Sequence, residues 1–139
     1  KKYGMKKKCN RCFKEKKTNE YHKDSKIKKS TGLPYRRAEC KDCYNGRKSK
    51  KRREVRKKFS KYKEGLSCEY CGYSKKTHKN FSISALEFHH ILSSTKKYTI
   101  GNMISHSSYA WKTIMDEVSK CRVLCCLCHR EQHGNRDES

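Results

Sequence analysis

Apolar residues are spaced along this chain in ways that predict two helices. Val55, Phe59 and Tyr62 fall on one helical face, so residues 44–64 are predicted to form a helix. Residues 109–120 are predicted to form a second helix, because four apolar residues recur there at helical spacing and define a buried side. These four residues are Trp111, Ile114, Met115 and Val118.

Shorter patterns predict the remaining elements. Residues 85–89 alternate apolar and polar side chains, which predicts a short strand, and residues 122–124 predict another. Residues 129–134 predict a last helix that Gly134 stops. The polar stretch 93–108 is predicted to be a loop, and residues 30–34 carry a turn signal.

The N-terminal residues 1–43 predict two cysteine knuckles joined by a hairpin. Phe13 and Tyr21 are the apolar residues available to pack on a metal site there.

Composition leaves little material for an ordinary hydrophobic core. Leu, Ile, Val and Phe together number 19 of 139 residues, and the formal net charge is +23. These values alone are typical of a disordered chain. A structural zinc ion can supply folding free energy of roughly 10–16 kcal/mol, so the ten cysteines are the candidates for stabilising a fold.

The positive charge is concentrated in one half of the chain. Residues 1–64 carry 27 Lys and Arg against 7 Asp and Glu, whereas residues 65–139 carry 10 against 7. A polyanion is the expected partner, and nucleic acid is the first choice. The sequence has no long apolar run and no signal peptide, so we expect no membrane association and an intracellular location.

Eight cysteines form four C-x-x-C pairs. The pairs are Cys9/Cys12, Cys40/Cys43, Cys68/Cys71 and Cys125/Cys128. Such short pairs suit one tetrahedral metal better than the chain-crossing bridges of a secreted disulfide scaffold. They predict two closed, structural zinc sites, and the two remaining cysteines, Cys121 and Cys126, are predicted to be small packed thiols.

Spacing alone leaves the pairing of the knuckles open. Cys9/Cys12 with Cys40/Cys43 encloses 27 residues, and Cys68/Cys71 with Cys125/Cys128 encloses 53. A rival scheme joins Cys40/Cys43 to Cys68/Cys71 across 24 residues.

The predicted helix around residues 47–63 is strongly basic. Two interpretations compete: a helix whose cations meet phosphates, or a solvated helix or flexible linker. The cations are Arg47, Lys48, Lys50, Lys51, Arg52, Arg53, Arg56, Lys57, Lys58, Lys61 and Lys63.

Four histidines cluster at two places in the second half. His89 and His90 are adjacent at the end of a predicted strand, and His129 and His133 are spaced to share a helical face. Imidazole is the commonest transition-metal ligand. The alternative is that these histidines extend a zinc site or cap an element. The other three, His22, His78 and His106, are predicted to be surface residues.

Two stretches together resemble the HNH endonucleases, members of the ββα-metal group. Residues 86–91 read Leu-Glu-Phe-His-His-Ile, and residues 125–133 read Cys-Cys-Leu-Cys-His-Arg-Glu-Gln-His. Residues 96–100 and 107–111 also look like phage-type members. The resemblance covers residues 66–134, about half of the chain, and the N-terminal knuckles resemble an accessory zinc module of phage and homing enzymes more loosely. If the chain is phage-encoded, its expected location is the host cytoplasm.

The resemblance implies a role for each histidine. His90 would be the general base, His89 and His129 would bind a catalytic divalent ion, and His133 matches a further ligand of colicin-type nucleases. The ion would be Mg²⁺ by first preference, with Mn²⁺, Ni²⁺ or Zn²⁺ as alternatives. The resemblance also joins Cys68/Cys71 to Cys125/Cys128. The family's middle asparagine, which orients the loop carrying the base, would lie near Lys120 and is absent.

These observations predict a small α+β, metal-stabilised chain. Residues 1–46 would form a DNA-contacting module with four cysteines, 47–64 a basic helical linker, and 65–139 the nuclease domain. The predicted function is metal-dependent cleavage of double-stranded DNA by a monomer or homodimer, with further phosphate contacts from Lys96, Lys97, Arg122 and Arg130. The alternatives are a non-catalytic zinc-ribbon regulator that binds DNA or RNA and a structural RNA-associated protein.

Overall fold

A computed structural model describes residues 5–106 and 109–134. The chain is small and of mixed α and β structure, and it divides into two compact units, Lys1–Lys50 and Lys51–Ser139. Among the described residues, no helix combines the length and the apolar character needed to cross a membrane.

The first unit consists of two antiparallel hairpins and the start of a helix. Strands β1 (Lys6–Lys8) and β2 (Glu15–Lys17) pair with each other, as do β3 (Tyr21–Ile27) and β4 (Pro34–Cys40). Helix α1 (Lys41–Glu64) follows β4 without a linker. The predicted turn at residues 30–34 is confirmed, since Lys28 N–H donates to the Leu33 carbonyl at 2.8 Å and Gly32 has a φ of 63°.

Cysteine forms most of the buried core of the first unit. Cys9, Tyr21 and Cys40 have no exposed surface and lie against one another, with Cys12 and Cys43 beside them. The prediction that Tyr21 packs at the metal site is therefore confirmed. The same prediction for Phe13 is wrong: its side chain is 68% exposed, and its backbone closes the knuckle turn with a φ of 58°.

The second unit is built on one hairpin and three short helices. Strands β5 (Leu86–His90) and β6 (Cys121–Cys125) pair in continuous antiparallel register from Leu86 opposite Cys125 to His90 opposite Cys121. Helices α2 (Ile100–Ser105) and α3 (Trp111–Val118) lie between these strands in sequence, and α4 (Cys126–Gly134) follows β6 directly.

Two clusters of buried side chains hold the second unit together. The first surrounds Phe59 of α1 and contains Ile100, Met103, Ile114 and Val118, with Val55 and Tyr62 packed at its edge. The second contains Cys68, Leu86, Leu124 and Cys125. The apolar stripe predicted for the basic segment is therefore real, and the flexible-linker interpretation is wrong for this segment.

The sequence predicted that the polar stretch 93–108 is a loop, and this prediction is wrong for part of it. It contains a 3-10 turn at Ser93–Thr95 and the helix α2, in which Ile100 and Met103 are buried; residues 107–108 lie outside the described part. Two apolar residues three positions apart suffice to attach one helical turn to the Phe59 cluster. The predicted helix 109–120 is confirmed over Trp111–Val118, where Ile114 and Val118 are buried and Trp111 and Met115 are half-buried.

The first knuckle of each unit closes with the same backbone geometry. Phe13 N–H donates to the Cys9 carbonyl at 3.0 Å, and Gly72 N–H donates to the Cys68 carbonyl at 3.0 Å. Both closing residues are left-handed, with φ of 58° and 74°. Glycine adopts this conformation freely, whereas a side chain is strained there by roughly 1–2 kcal/mol.

This shared geometry predicts opposite effects of two substitutions. Phe13→Gly should raise the free energy of unfolding by about 0.5–1 kcal/mol, since relief of strain exceeds the added entropy of the unfolded chain. Gly72→Ala should lower it by about 1–2 kcal/mol, although nothing within 4 Å would obstruct the added methyl group. Urea unfolding of the zinc-loaded proteins measures both changes, and equal signs would contradict the argument.

Candidate functional site

The first four cysteines form one cluster of sulfur atoms. Cys9, Cys12, Cys40 and Cys43 all have Sγ atoms within 4.8 Å of one another, and the Cys9–Cys43 and Cys12–Cys40 separations are both 4.0 Å. Tetrahedral zinc with bonds of about 2.3 Å separates its sulfur ligands by about 3.8 Å. The cluster therefore has the donor type and the spacing of a closed zinc site.

The second cluster joins Cys68, Cys71, Cys125 and Cys128. The Sγ atoms of Cys71 and Cys125 are 3.6 Å apart, which again fits shared tetrahedral coordination. These groupings confirm that the knuckles pair in the order of the chain. The rival scheme is wrong, because Cys40/Cys43 and Cys68/Cys71 belong to different clusters.

Backbone N–H groups stabilise one thiolate in each cluster. The N–H groups of Arg11 and Cys40 donate to Cys9 Sγ at 3.4 and 3.3 Å. Burial alone would raise the pKa of Cys9, but hydrogen bonds from the backbone lower it to about 6. The same opposition of burial and backbone hydrogen bonds lowers the pKa of Cys68 to about 6. Each cluster thus presents a thiolate near neutral pH, which is the form that binds zinc.

A third cluster of possible ligands consists of histidines alone. His89 lies on β5, and His129 and His133 lie one turn apart on α4. Nδ1 of His89 is 3.0 Å from Nε2 of His129, which is 3.3 Å from Nε2 of His133. Three nitrogen atoms from two elements therefore converge on one point.

A carboxylate fixes the orientation of the central histidine. Nδ1 of His129 contacts the side chain of Glu87. A carboxylate only accepts hydrogen bonds, so Nδ1–H donates, and the lone pair of a neutral His129 lies on Nε2, toward His89 and His133. A carboxylate on the far nitrogen of an imidazole is the usual arrangement behind a metal-binding histidine.

Successive side chains of β5 serve opposite faces of the hairpin. Glu87 and His89 reach His129 on α4. Phe88 contacts the Phe59 ring with centroids 5.5 Å apart. His90 reaches Glu117 on α3 with a side chain that is only 8% exposed. The two-residue period of a strand thus gives His89 and His90 different partners, His129 on α4 and Glu117 on α3.

Glu117 is the buried carboxylate that holds His90. Its side chain is 3% exposed, and its Oε1 lies 2.8 Å from Nε2 of His90. The backbone N–H groups of Lys97 and Tyr98 donate to the same oxygen, and Lys120 Nζ donates to Oε2 at 2.8 Å. Burial would raise the pKa of Glu117, but these donors together lower it to about 2.

The ionised carboxylate determines which nitrogen of His90 can act as a base. Nε2–H must donate to Glu117, so in neutral His90 the lone pair lies on Nδ1. Glu117 also restrains the loop after β5 through Lys97 and Tyr98, and Lys120 donates to the Thr95 carbonyl at 3.2 Å. The loop after β5 is therefore held by Glu117 and Lys120.

The histidine cluster and His90 open into one cavity of about 300 Å³. The ammonium of Lys96 adds a positive charge to its wall. The complete lining is Phe88, His89, His90, Ser93, Lys96, Thr99, His129 and His133. A small anionic group could therefore reach the cluster and His90 together.

The other predicted phosphate ligands of the second unit have varied surroundings. Lys97 contributes its backbone to Glu117, and Arg130 is exposed on α4. Arg122 lies opposite His89 in the hairpin and donates to the Tyr70 hydroxyl at 3.1 Å.

Several cations of α1 have structural contacts. Arg47 pairs with Glu39 at 3.0 Å, and the Lys58 ammonium lies 4.2 Å from the centroid of Trp111. Lys63 donates to the Leu86 carbonyl at 2.7 Å, and burial lowers its pKa. Lys48 is half-buried, with its ammonium 5.0 Å from the centroid of Tyr44. The cations that α1 leaves exposed include Lys50, Lys51, Arg52, Arg53, Arg56 and Lys57.

Sequence reasoning missed both carboxylates of the site. Glu117 occupies a position on the buried side of α3, between Ile114 and Val118, and a carboxylate in an apolar stripe is a signal that could have identified it. Glu87 lies two residues before His89, and therefore on the same face of β5. His78 and His106 are exposed as predicted, but His22 is half-buried because its ring packs against Tyr44.

Comparison with protein-family models, with curated proteins and with solved structures found no match to this chain.

The cysteine clusters predict two tightly bound zinc ions per chain. Cys71→Ser should leave one, because Cys71 is a member of the second cluster. Cys126→Ser is the matched control and should keep both, since this neighbouring thiol belongs to neither cluster. Elemental analysis after exposure to a weak chelator provides the count. A folded wild-type chain with fewer than two zinc ions would contradict the prediction.

The contacts of Glu117 predict a large loss of stability on truncation. Glu117→Ala leaves His90 Nε2–H, two backbone N–H groups and the Lys120 ammonium without their acceptor, so the free energy of unfolding should fall by about 3 kcal/mol. Asp116→Ala is the control, because this neighbouring carboxylate makes an exposed pair with Lys112 and should change stability by less than about 0.5 kcal/mol. If urea unfolding finds that both variants lose the same free energy of unfolding, the argument that the contacts of Glu117 stabilise the unit is wrong.

Proposed function

We propose that this chain is a metal-dependent endonuclease that hydrolyses phosphodiester bonds of double-stranded DNA. In this proposal β5, β6 and α4 form the ββα-metal arrangement of the HNH enzymes. One observation carries it: three converging histidine nitrogens share a cavity with a fourth histidine whose proton-accepting nitrogen is fixed by a buried carboxylate.

The histidine cluster fits a transition-metal ion. Its neighbouring nitrogens are 3.0 and 3.3 Å apart, and ligands bound at 2.0–2.1 Å on adjacent positions are separated by about 2.9–3.4 Å. An all-imidazole donor set favours Zn²⁺ or Ni²⁺ over Mg²⁺, which prefers oxygen. Bound there, a divalent ion would act as a Lewis acid toward the scissile phosphate and its leaving oxygen.

The residues of the chain supply the proton transfer and the positioning. Nδ1 of neutral His90 takes a proton from the attacking water, while Nε2 keeps its proton and donates it in the hydrogen bond to Glu117. Glu117 stabilises the resulting imidazolium and prevents the ring from rotating. The ammonium of Lys96, in the same cavity, attracts the phosphate.

Charge supports DNA as the substrate. The first 64 residues carry a net charge of +20, and α1 exposes a run of cations along its length. Cations in such number bind phosphates without regard to base sequence. A binding module alone has no use for a base beside a ligand cluster, which favours the nuclease over a zinc-ribbon regulator.

The proposal predicts that His90→Ala abolishes cutting without abolishing DNA binding. Nicking of supercoiled plasmid with added Mn²⁺, Ni²⁺, Zn²⁺ or Mg²⁺ should fall by about 10²–10⁴-fold, the usual cost of losing a general base. His78→Ala is the control, because this exposed histidine lies outside the cavity. His129→Ala should instead weaken metal binding, measured by calorimetry. A His90→Ala protein that cuts at the wild-type rate would sink the mechanism.

A further inference from the structure

The first unit contains a positively charged cavity that the proposed cleavage does not use. Its volume is about 460 Å³. Four cations line it, Lys23, Arg36, Arg37 and Lys41, together with Tyr21, His22 and Tyr44. None of these lining residues is acidic, so the cavity favours an anion.

The cavity lies at an irregularity in the β3–β4 hairpin. The register runs from Tyr21 opposite Cys40 to Lys23 opposite Arg36, so only His22 on β3 faces three residues of β4. At this register shift the Lys7 ammonium donates to the backbone carbonyls of Arg36 and Arg37, at 2.6 and 3.0 Å. Bulges of this kind redirect side chains, and they recur beside binding sites.

His22 gives the cavity a polar atom in need of a partner. Its Nε2 is buried, and among the described residues it has no hydrogen-bond partner. Its ring packs edge-on against Tyr44, with centroids 4.8 Å apart. Leaving a buried nitrogen unpaired costs about 1–3 kcal/mol, so a movement of the ring that brings Nε2–H to a phosphate oxygen in the cavity would be favourable.

The surroundings of Tyr44 favour a phosphate over a nucleobase. Arg37 and Arg47 each place their guanidinium carbon 5.4 Å from the ring centroid, and Lys48 places its ammonium at 5.0 Å. These cations lie against the Tyr44 ring, where a base would have to stack. The same cations present N–H donors, which suit the oxygen atoms of a phosphate.

We propose that this cavity binds a phosphate group of the DNA backbone, with Arg37 and Lys41 among its exposed cations and His22 in its wall. The proposal rests on DNA being the substrate of the proposed function. It adds a contact in the first unit that uses the first turn of α1 but neither the exposed cations between Lys50 and Lys57 nor the histidine cavity.

The test compares two double variants of equal charge in the full zinc-loaded chain. Arg37→Gln with Lys41→Gln removes two exposed cations of the cavity, and Lys26→Gln with Lys29→Gln removes two exposed cations elsewhere in the same unit. Duplex binding is measured against salt without added divalent metal. Losing one phosphate contact should flatten the slope of log K against log salt by about 0.9 and weaken binding about eightfold at about 0.1 M salt. The control should change affinity less than twofold.

A second measurement identifies the source of the phosphate. The side-chain NMR signals of His22 should shift on addition of duplex DNA and much less with millimolar inorganic phosphate. Shifts with inorganic phosphate alone, and equal DNA binding by both double variants, would overturn the DNA source. No shift with either probe would overturn the site.

Binding and cleavage fail separately in this design. A chain that binds DNA through the cavity but never cuts would overturn the proposed function and leave this inference standing. A chain that cuts plasmid, with both double variants binding DNA equally well, would overturn this inference and leave the proposed function standing.

Discussion

The fold of both units depends on their thiol clusters, which form most of the buried core of the first unit and add to the apolar cluster around Phe59 in the second. In the first unit, Cys9 and Cys40 are as fully buried as Tyr21, and this trio is its buried core. In the second unit, Cys68 packs with Leu86, Leu124 and Cys125 of the β5–β6 hairpin. Buried thiols alone cannot offset the chain entropy of such a polar sequence, whereas metal–thiolate bonds can. Zinc binding and folding are therefore expected to be one equilibrium in both units.

Glu117 connects three parts of the second unit through one side chain. It joins α3 to the end of β5 through His90, and to the following loop through Lys97 and Tyr98. Hydrogen-bond donors to both carboxylate oxygens offset the cost of burying Glu117, and the Lys120 ammonium neutralises its charge. Because the same oxygen contacts His90 and the loop, the orientation of the proposed base and the shape of the cavity wall are fixed together.

The sequence was sufficient for features that depend on regular spacing. The knuckles, the Val55–Tyr62 stripe and the pair of histidines on α4 all follow from periods that can be counted along the chain. Features that depend on distant contacts were not predictable in the same way. Helix α2 is recognisable only once Phe59 and Ile114 are known to be its neighbours. The contact of His22 with Tyr44 joins β3 to α1, and the register shift at His22 arises from the pairing of two strands.

The alternation of side chains along β5 gives this strand something like a reading frame. Odd-numbered Glu87 and His89 both contact His129, whereas even-numbered Phe88 packs on Phe59 and His90 contacts Glu117. A single residue inserted before Glu87 would act as a frameshift: it would place His89 at the position of His90 and turn His90 to the face of β5 that now carries His89. Substitutions within one face leave the frame intact. In relatives of this sequence with a strand of the same length, substitutions on one face would change the metal affinity of the histidine cluster. Substitutions on the other face would change the proton affinity of His90.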